Sequence, residues 1–178
     1  MSEDMSRPLD DSSPRRMIRV DHAGEYGAVR IYAGQRAILG RGKNAALLRH
    51  MQEQEQGHLA AFSDLMVRRR IRPTALLPLW HMAGFALGAA TAALGERAAM
   101  ACTVAVEEAI DAHYAGQEAA LSEADDELSG LIGHCRAEEL EHRDIGLAHE
   151  AEQAPGYRAL SALIKAGCRV AIFASERI

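Results

Sequence analysis

The sequence predicts an all-α protein, and three observations support this prediction. Five prolines leave residues 15–72 and 79–154 free of the residue that breaks helices most strongly. Apolar side chains recur at helical spacing through both stretches. The sequence contains no strand-like alternation of useful length. With 178 residues, 48% of them hydrophobic, the chain is long enough for one domain with a buried core.

The first two predicted helices form a hairpin. One runs from Met17 to Leu39 and ends at residues 40–42, which read Gly-Arg-Gly. The other follows Asn44, a residue type that caps helices, and ends before Pro73. Residues 1–16 mix acids, serine and proline without an apolar core, so we expect a disordered tail and not a signal or transit peptide.

Four further helices are predicted after Pro73, and residues 17–178 are expected to form a single domain. Residues 122–125 combine residue types that cap helices, so they separate the fourth helix from the fifth, which ends before Pro155. The other predicted ranges are about 79–94 for the third helix, 96–121 for the fourth and 157–175 for the sixth.

Composition excludes several classes of protein. A formal charge of -5 and a pI near 5.9 give no basic surface of the kind that binds nucleic acid, so no nucleic-acid partner is expected. Cys102, Cys135 and Cys168 are far apart and include no C-x-x-C pair, so neither a disulfide framework nor a thiolate zinc site is indicated. The sequence also lacks glycine-rich phosphate-binding loops.

Two Glu-x-x-His tetrads, at 55–58 and 139–142, stand out among the polar residues. Residues three apart lie on one face of a helix, so each tetrad directs a carboxylate and an imidazole the same way. Tetrads of this kind also arise by chance, and a single buried or surface histidine usually has a simpler explanation. The tetrads therefore need support from their surroundings.

That support comes from an internal duplication. Glu25 precedes Glu55 by 30 residues and Glu107 precedes Glu139 by 32. In each antiparallel hairpin the midpoint of this spacing falls on the predicted turn, so Glu25 and Glu107 each lie level with a tetrad. A tyrosine follows each of these two glutamates by seven residues, at Tyr32 and Tyr114. The two hairpins thus repeat one another.

The duplicated residues predict a dinuclear iron site. Four glutamates and two histidines in a bundle core would be unpaired charges unless a cation neutralised them. One glutamate from each of two helices plus Glu-x-x-His from each of the other two is the pattern of di-iron and di-manganese carboxylate bundles. The predicted ligands are Glu25, Glu55, His58, Glu107, Glu139 and His142.

Ligand histidines usually need an acceptor for the second ring nitrogen, and several residues are candidates for such supporting roles. The candidates around the ligands are Tyr32, Tyr114, His113, His149, Asp111 and Asp144, with Asp21 as a further acceptor. The two tyrosines are more often core residues than redox-active ones. Glu108, Glu138 and Glu141 are rotated off the ligand faces, so they are expected to be solvated.

The uncharged run 74–94 is long enough to cross a bilayer. A single crossing would place the two halves of the metal site on opposite sides of the membrane, so we expect this segment to lie in the interface instead. The predicted lipid contacts are Leu76, Leu77, Leu79, Trp80 and Phe85.

The predicted C-terminal helix is basic and amphipathic. Arg158, Lys165 and Arg169 recur on one of its faces, where they could meet anionic lipid headgroups. The alternative is a helix that simply closes the bundle, because three cations on one face are common.

The chain closely resembles the demethoxyubiquinone hydroxylase family of ubiquinone biosynthesis over residues 17–178. The segments that carry the resemblance are RVDHAGEYGA at 19–28, EQGH at 55–58, ACTVAVEE at 101–108, EELEH at 138–142 and AGCRVAI at 166–172. The resemblance implies a ferritin-like four-helix bundle with a crossover or interfacial helix and a C-terminal amphipathic helix. It also implies two iron ions, with Glu25 and His58 terminal on one, Glu107 and His142 terminal on the other, and Glu55 and Glu139 bridging.

The activity that the resemblance implies is hydroxylation of the ring of a demethoxyubiquinol with dioxygen. The implied partners are a polyprenyl quinol, an external electron donor such as NADH acting through the quinone, the membrane surface and a lipid-binding accessory protein of the pathway. The implied location is the cytoplasmic face of a bacterial inner membrane, as a peripheral protein. Two alternatives with the same ligand pattern remain open at this point: a ferritin-like ferroxidase or iron-storage protein, and a peroxide-reducing protein of the rubrerythrin type.

Overall fold

The computed structural model describes residues 13–121 and 125–178, and every regular element in these ranges is helical. The elements are α1 (Pro14–Leu39), α2 (Ala45–Arg68), α3 (Leu77–Ala93), α4 (Glu96–Leu121), α5 (Asp126–Ala148), a 3₁₀ turn (Ala151–Gln153) and α6 (Tyr157–Ser175). The all-α prediction is confirmed, and the helices lie where the sequence predicted them to within a few residues.

Helix α1 begins three residues before the predicted Met17. Pro14 occupies the first turn of α1, where its fixed φ suits a helix and its missing N–H removes no hydrogen bond. Residues 14–16, which we expected in the tail, are therefore helical. Residues 1–12 of the predicted tail and most of the predicted break, residues 122–124, lie outside the described residues.

Two antiparallel hairpins form the central bundle. Helix α1 packs on α2, α4 packs on α5, and the hairpins meet through contacts of α1 with α4 and of α2 with α5. At one end, Arg69 binds the carboxylates of Asp125 and Glu127, with its Nη2 atom 2.9 Å from Asp125 Oδ1. Asp125 also caps α5 by accepting the Leu128 N–H at 3.1 Å. These bonds join the end of α2 to the start of α5.

Helices α3 and α6 cover the side of the bundle formed by α1 and α4. Helix α3 lies so close to α1 that a Cβ atom on Gly88 would stand 1.9 Å from the carbonyl oxygen of Ile31. Helix α6 packs on α4, and Trp80 of α3 donates a hydrogen bond to Ser175 of α6 at 3.0 Å. Within the described ranges, no helix combines the length and hydropathy needed to cross a membrane.

The core divides into apolar layers with a polar layer between them. One apolar cluster, which includes Phe62 and Leu128, fills the end of the bundle where α1 begins. A second cluster, which includes Leu48 and Met100, fills the opposite end. The duplicated glutamates and histidines lie at the level between these clusters, so the fold surrounds them with hydrocarbon.

Candidate metal centre

The structure brings all six predicted ligands together. One donor atom each from Glu25, Glu55, His58 and Glu139 lies within 4.8 Å of the others, and so does one each from Glu55, Glu107, Glu139 and His142. Glu55 and Glu139 belong to both groups, so they lie between two adjacent metal positions. No side chain of the six is more than 3% exposed.

Both imidazoles turn their Nδ1 atoms toward the cluster. The Nδ1 atom of His58 lies 3.2 Å from Glu139 Oε1 and 3.3 Å from Glu25 Oε2. The Nδ1 atom of His142 lies 3.0 Å from Glu55 Oε1 and 3.5 Å from Glu139 Oε2. Each histidine thus faces one carboxylate of its own hairpin and one from the opposite hairpin.

The outward Nε2 atoms have acceptors that sequence reasoning missed. Glu138 Oε2 lies 2.7 Å from His58 Nε2, and Gln54 Oε1 lies 3.0 Å from His142 Nε2. The expectation that Glu138 would be a solvated side chain was wrong. The residue just before each tetrad contacts the histidine of the other tetrad. The internal duplication could have identified both residues, because they occupy equivalent positions in the two hairpins.

The two tyrosines also cross between the hairpins. Tyr32 on α1 donates to Glu107 on α4 at 3.1 Å, and Tyr114 on α4 donates to Glu25 on α1. Each hydroxyl holds one oxygen of a buried glutamate and leaves the other directed toward the cluster. The structure therefore places both tyrosines next to predicted ligands, as the sequence suggested.

The remaining supporting candidates make other contacts. His113 and Gln117 bind Asp21, with His113 Nε2 3.1 Å from Asp21 Oδ1. His149 lies beside Asn44 at the end of α5. Asp111 pairs with Arg136, and Asp144 pairs with Arg143. Within the described ranges, none of these contacts connects the supporting candidates to the six predicted ligands.

The inward-facing atoms of the cluster fit a metal centre. Eight buried atoms form no hydrogen bond: Glu25 Oε2, both carboxylate oxygens of Glu55 and of Glu139, Glu107 Oε2, and the Nδ1 atoms of His58 and His142. An unpartnered buried polar atom is unfavourable, and eight around one volume indicate a cation as the missing partner. Carboxylate oxygens with two imidazoles suit iron or manganese.

Without a cation, the cluster retains protons. Burial raises the pKa of Glu25, and it raises the pKa values of Glu55 and Glu107 well above the usual range. Burial works against charge on Glu139 as well, but His142 and His58 outweigh it and lower its pKa to about 2. Burial also opposes charge on His58, yet Glu139 and Glu25 raise its pKa to about 11.

The predicted lipid-contact residues differ in exposure. Leu79 and Phe85 of α3 are exposed, whereas Leu76, Leu77 and Trp80 are partly buried. On α6, Arg158 and Arg169 are exposed. Lys165 instead pairs with Glu108 of α4, so it is not the free cation that the sequence suggested, because the neighbouring helix supplies a carboxylate.

Comparison with known proteins identifies relatives along nearly the whole chain. The family described as ubiquinone biosynthesis protein COQ7 matches residues 12–175. A Homo sapiens protein named NADPH-dependent 3-demethoxyubiquinone 3-hydroxylase, mitochondrial, is 59% identical over 167 residues, which cover 92% of this chain and 77% of that protein.

Two further relatives match this chain with the same coverage as the human protein. The 3-demethoxyubiquinol 3-hydroxylase of Rhodospirillum rubrum is 59% identical over 164 residues, covering 92% of this chain and 77% of its own. The 5-demethoxyubiquinone hydroxylase, mitochondrial, of Saccharomyces cerevisiae is 42% identical over 180 residues, again covering 92% and 77%. The resemblance inferred from the motifs is confirmed, and the chain belongs to the COQ7 family of ubiquinone biosynthesis proteins.

Proposed function

We propose that this protein is a hydroxylase of ubiquinone biosynthesis that transfers one oxygen atom from dioxygen to the ring of a demethoxyubiquinol. The observation that carries the proposal is the cluster of four glutamates and two histidines whose inward atoms form no hydrogen bonds. The relatives named as demethoxyubiquinone and demethoxyubiquinol hydroxylases supply the substrate class.

The cofactor in this proposal is a pair of iron ions. Glu25 and His58 would hold one ion and Glu107 and His142 the other, and Glu55 and Glu139, which belong to both groups of donor atoms, would be shared between them. When bound, the irons supply the reduction of dioxygen that ring hydroxylation requires.

The protein's own residues orient this centre and keep water out. Glu138 and Gln54 fix the two imidazoles, and Tyr32 and Tyr114 fix the terminal glutamates. The apolar layers above and below exclude bulk water, which strengthens every electrostatic interaction within the site.

Electrons come from outside the chain in this proposal. The sequence contains no glycine-rich phosphate-binding loop, so a nicotinamide donor would act from solution or through the quinone. NADH is the donor that the resemblance implied, and the human relative is named as NADPH-dependent. Storage of iron and reduction of peroxide are less well supported, because the human, Rhodospirillum rubrum and yeast relatives are named as hydroxylases.

Labelled dioxygen tests the activity. Full-length protein loaded with ferrous iron is mixed with a demethoxyubiquinol, a reductant and ¹⁸O₂, and the mass of the quinone product is measured by mass spectrometry. We expect one ¹⁸O atom in the product, loss of turnover in Glu55→Ala, and normal turnover in Glu53→Ala, which alters an exposed neighbour on α2. Iron oxidation without hydroxylated product would contradict the proposal and favour a ferroxidase.

We further propose that α3 and α6 attach the protein to the cytoplasmic face of a bacterial inner membrane, where a polyprenyl quinol can reach the site. The outward side chains of α6 include Leu163, Val170 and Phe173, which are 72%, 66% and 59% exposed. Leu79 and Met82 on α3 are 54% and 73% exposed. Apolar side chains of this size on neighbouring helices suit insertion into the upper part of a bilayer. A lipid-binding accessory protein could use the same surface.

The basic residues of α6 give this attachment a test. Arg158 and Arg169 are exposed, and each cation near an anionic surface contributes about 1 kcal/mol. Replacing both with glutamine should weaken binding to phosphatidylglycerol vesicles and reduce its salt dependence. Lys165→Gln should change binding little, since Lys165 is paired with Glu108. Equal effects of the two variants would argue against this orientation on the membrane.

A further inference from the structure

Cys135 lies at the edge of the metal centre, although its spacing from the other cysteines indicated no metal site. Its thiol is fully buried on α5, one helical turn before Glu139. The Cys135 Sγ atom, one oxygen of Glu25 and one nitrogen of His58 all lie within 4.8 Å of one another.

The neighbours of Cys135 indicate that a ligand belongs in this space. Glu25 Oε2 and His58 Nδ1 are buried, form no hydrogen bond and lie 3.3 Å apart. Both atoms belong to the position that we assign to one of the two metal ions. Cys135 therefore adds a sulfur atom beside a carboxylate and an imidazole that lack partners.

The opposite half of the duplication carries no equivalent thiol. Met51 precedes Glu55 by four residues, as Cys135 precedes Glu139, and the Met51 sulfur lies 3.8 Å from the Tyr32 hydroxyl. A thioether cannot become an anion, so only the position beside Glu25 and His58 has an ionisable sulfur among the described residues of the cluster. The two metal positions are therefore chemically unequal.

We propose that Glu25, His58 and Cys135 form a position for a thiophilic divalent cation such as Zn²⁺, Co²⁺ or Cd²⁺, with Cys135 as a thiolate ligand. The proposal rests on the metal centre assigned above. Sulfur, nitrogen and oxygen ligands together suit these ions, whereas the position beside Glu107 and His142 offers only oxygen and nitrogen. A cation of this kind would compete with iron at one of the two positions.

The coordination step is balanced by release of one proton. The S–H bond of Cys135 breaks, a bond from sulfur to the metal forms, and the proton leaves to solvent. A divalent cation at bonding distance deprotonates a coordinating thiol outright. No electron transfer is involved, so the step needs neither an oxidant nor a reductant.

Cobalt provides a spectroscopic test that does not depend on turnover. Co²⁺ is titrated anaerobically into metal-free full-length protein, and absorption is recorded in the visible region, which reports bound cobalt, and in the near ultraviolet, which reports sulfur-to-cobalt charge transfer. We expect a charge-transfer band that saturates at one Co²⁺ per chain. Cys135→Ser should lose this band and retain visible absorption from bound cobalt.

A matched variant controls for the other cysteines. The double substitution Cys102→Ser and Cys168→Ser leaves Cys135 as the sole thiol and should retain the band. Circular dichroism confirms that each variant is folded. Bound cobalt without a charge-transfer band in the wild type, or a band that survives Cys135→Ser, would overturn the inference while leaving the metal centre intact. Failure of the folded wild type to bind any cobalt would overturn both this inference and the metal centre.

Discussion

Glu138 on α5 lies 2.7 Å from the Nε2 atom of His58 on α2, so a partly exposed carboxylate orients a buried imidazole of the opposite hairpin. Partners of this kind fix which ring nitrogen faces the metal and raise the basicity of the ligand. We expect Glu138→Gln to lower iron affinity or turnover by about 10- to 100-fold. Glu141→Gln alters an exposed glutamate on the same helix and should have little effect. Iron affinity is measured by competition with a chelator, and equal affinities of the two variants would contradict this role.

The hydroxyl of Tyr114 should contribute to stability because its partner, Glu25, is buried. Removing the hydroxyl leaves one oxygen of Glu25 without a donor, so Tyr114→Phe should lower the free energy of unfolding of the metal-free protein by about 1–3 kcal/mol. Tyr26→Phe loses a bond to His81 at an exposed position and should change stability by about 0.5 kcal/mol or less. Urea unfolding monitored by circular dichroism compares the variants, and equal losses would count against a special role for Tyr114.

The sequence predicted the six clustered residues because they obey two simple rules. Helical spacing places Glu55 on the same helix face as His58. Residues equidistant from the turn of an antiparallel hairpin lie side by side, which places Glu25 beside them. Both rules use positions along one or two adjacent helices. The same rules, applied to the residue before each tetrad, would have identified Glu138 and Gln54.

Contacts between sequence-distant helices were less predictable. Nothing in the α6 sequence shows that Lys165 faces Glu108, because that pairing depends on how α6 rotates against α4. The same reasoning applies to Cys135, whose distance from His58 depends on the approach of α5 to α2. Periodicity predicts which face of a helix is buried, but the rotation and approach of distant helices require the packed structure.

Stability of the metal-free protein should fall as pH rises from about 5 to 8. The pKa values of Glu25, Glu55 and Glu107 are raised above their ordinary value of 4.5, so the folded state holds protons that the unfolded state has lost. His58, raised from 6.5 to about 11, acts in the same direction above pH 6.5. The stabilisation is present below the unfolded pKa values and is lost as pH rises toward the folded ones.

Metal should reverse this pH dependence. A bound cation replaces the retained protons, so its stabilisation grows as proton competition weakens with rising pH. Melting temperatures recorded from pH 5 to 8 with and without ferrous iron, under anaerobic conditions, measure both trends. Parallel curves with and without metal would contradict the assignment of these carboxylates as ligands.

Gly88 should be required for the contact between α1 and α3. A Cβ atom there would lie 1.9 Å from the Ile31 carbonyl oxygen, which is backbone and cannot rotate away. Gly88→Ala should lower the free energy of unfolding by about 1–3 kcal/mol or displace α3 from the bundle. Gly116→Ala on α4 has nothing within 4 Å of the added atom and should be neutral or stabilising. Urea unfolding, with limited proteolysis near α3, distinguishes these outcomes.

The outward face of α6 should determine membrane binding. Its large apolar side chains, Leu163, Val170 and Phe173, gain little from the folded protein because they are mostly exposed, yet each would be removed from water by a bilayer. Replacing all three with serine should weaken vesicle binding by at least about tenfold, since even partial burial of three such side chains exceeds about 1.4 kcal/mol. The matched control replaces three other exposed apolar side chains with serine: Ile38 on α1, Val67 on α2 and Leu147 on α5. Co-sedimentation with vesicles measures binding, and unfolding by urea confirms that stability is preserved. If both triple variants weaken binding equally, the protein adheres through general surface hydrophobicity and α6 has no distinct role.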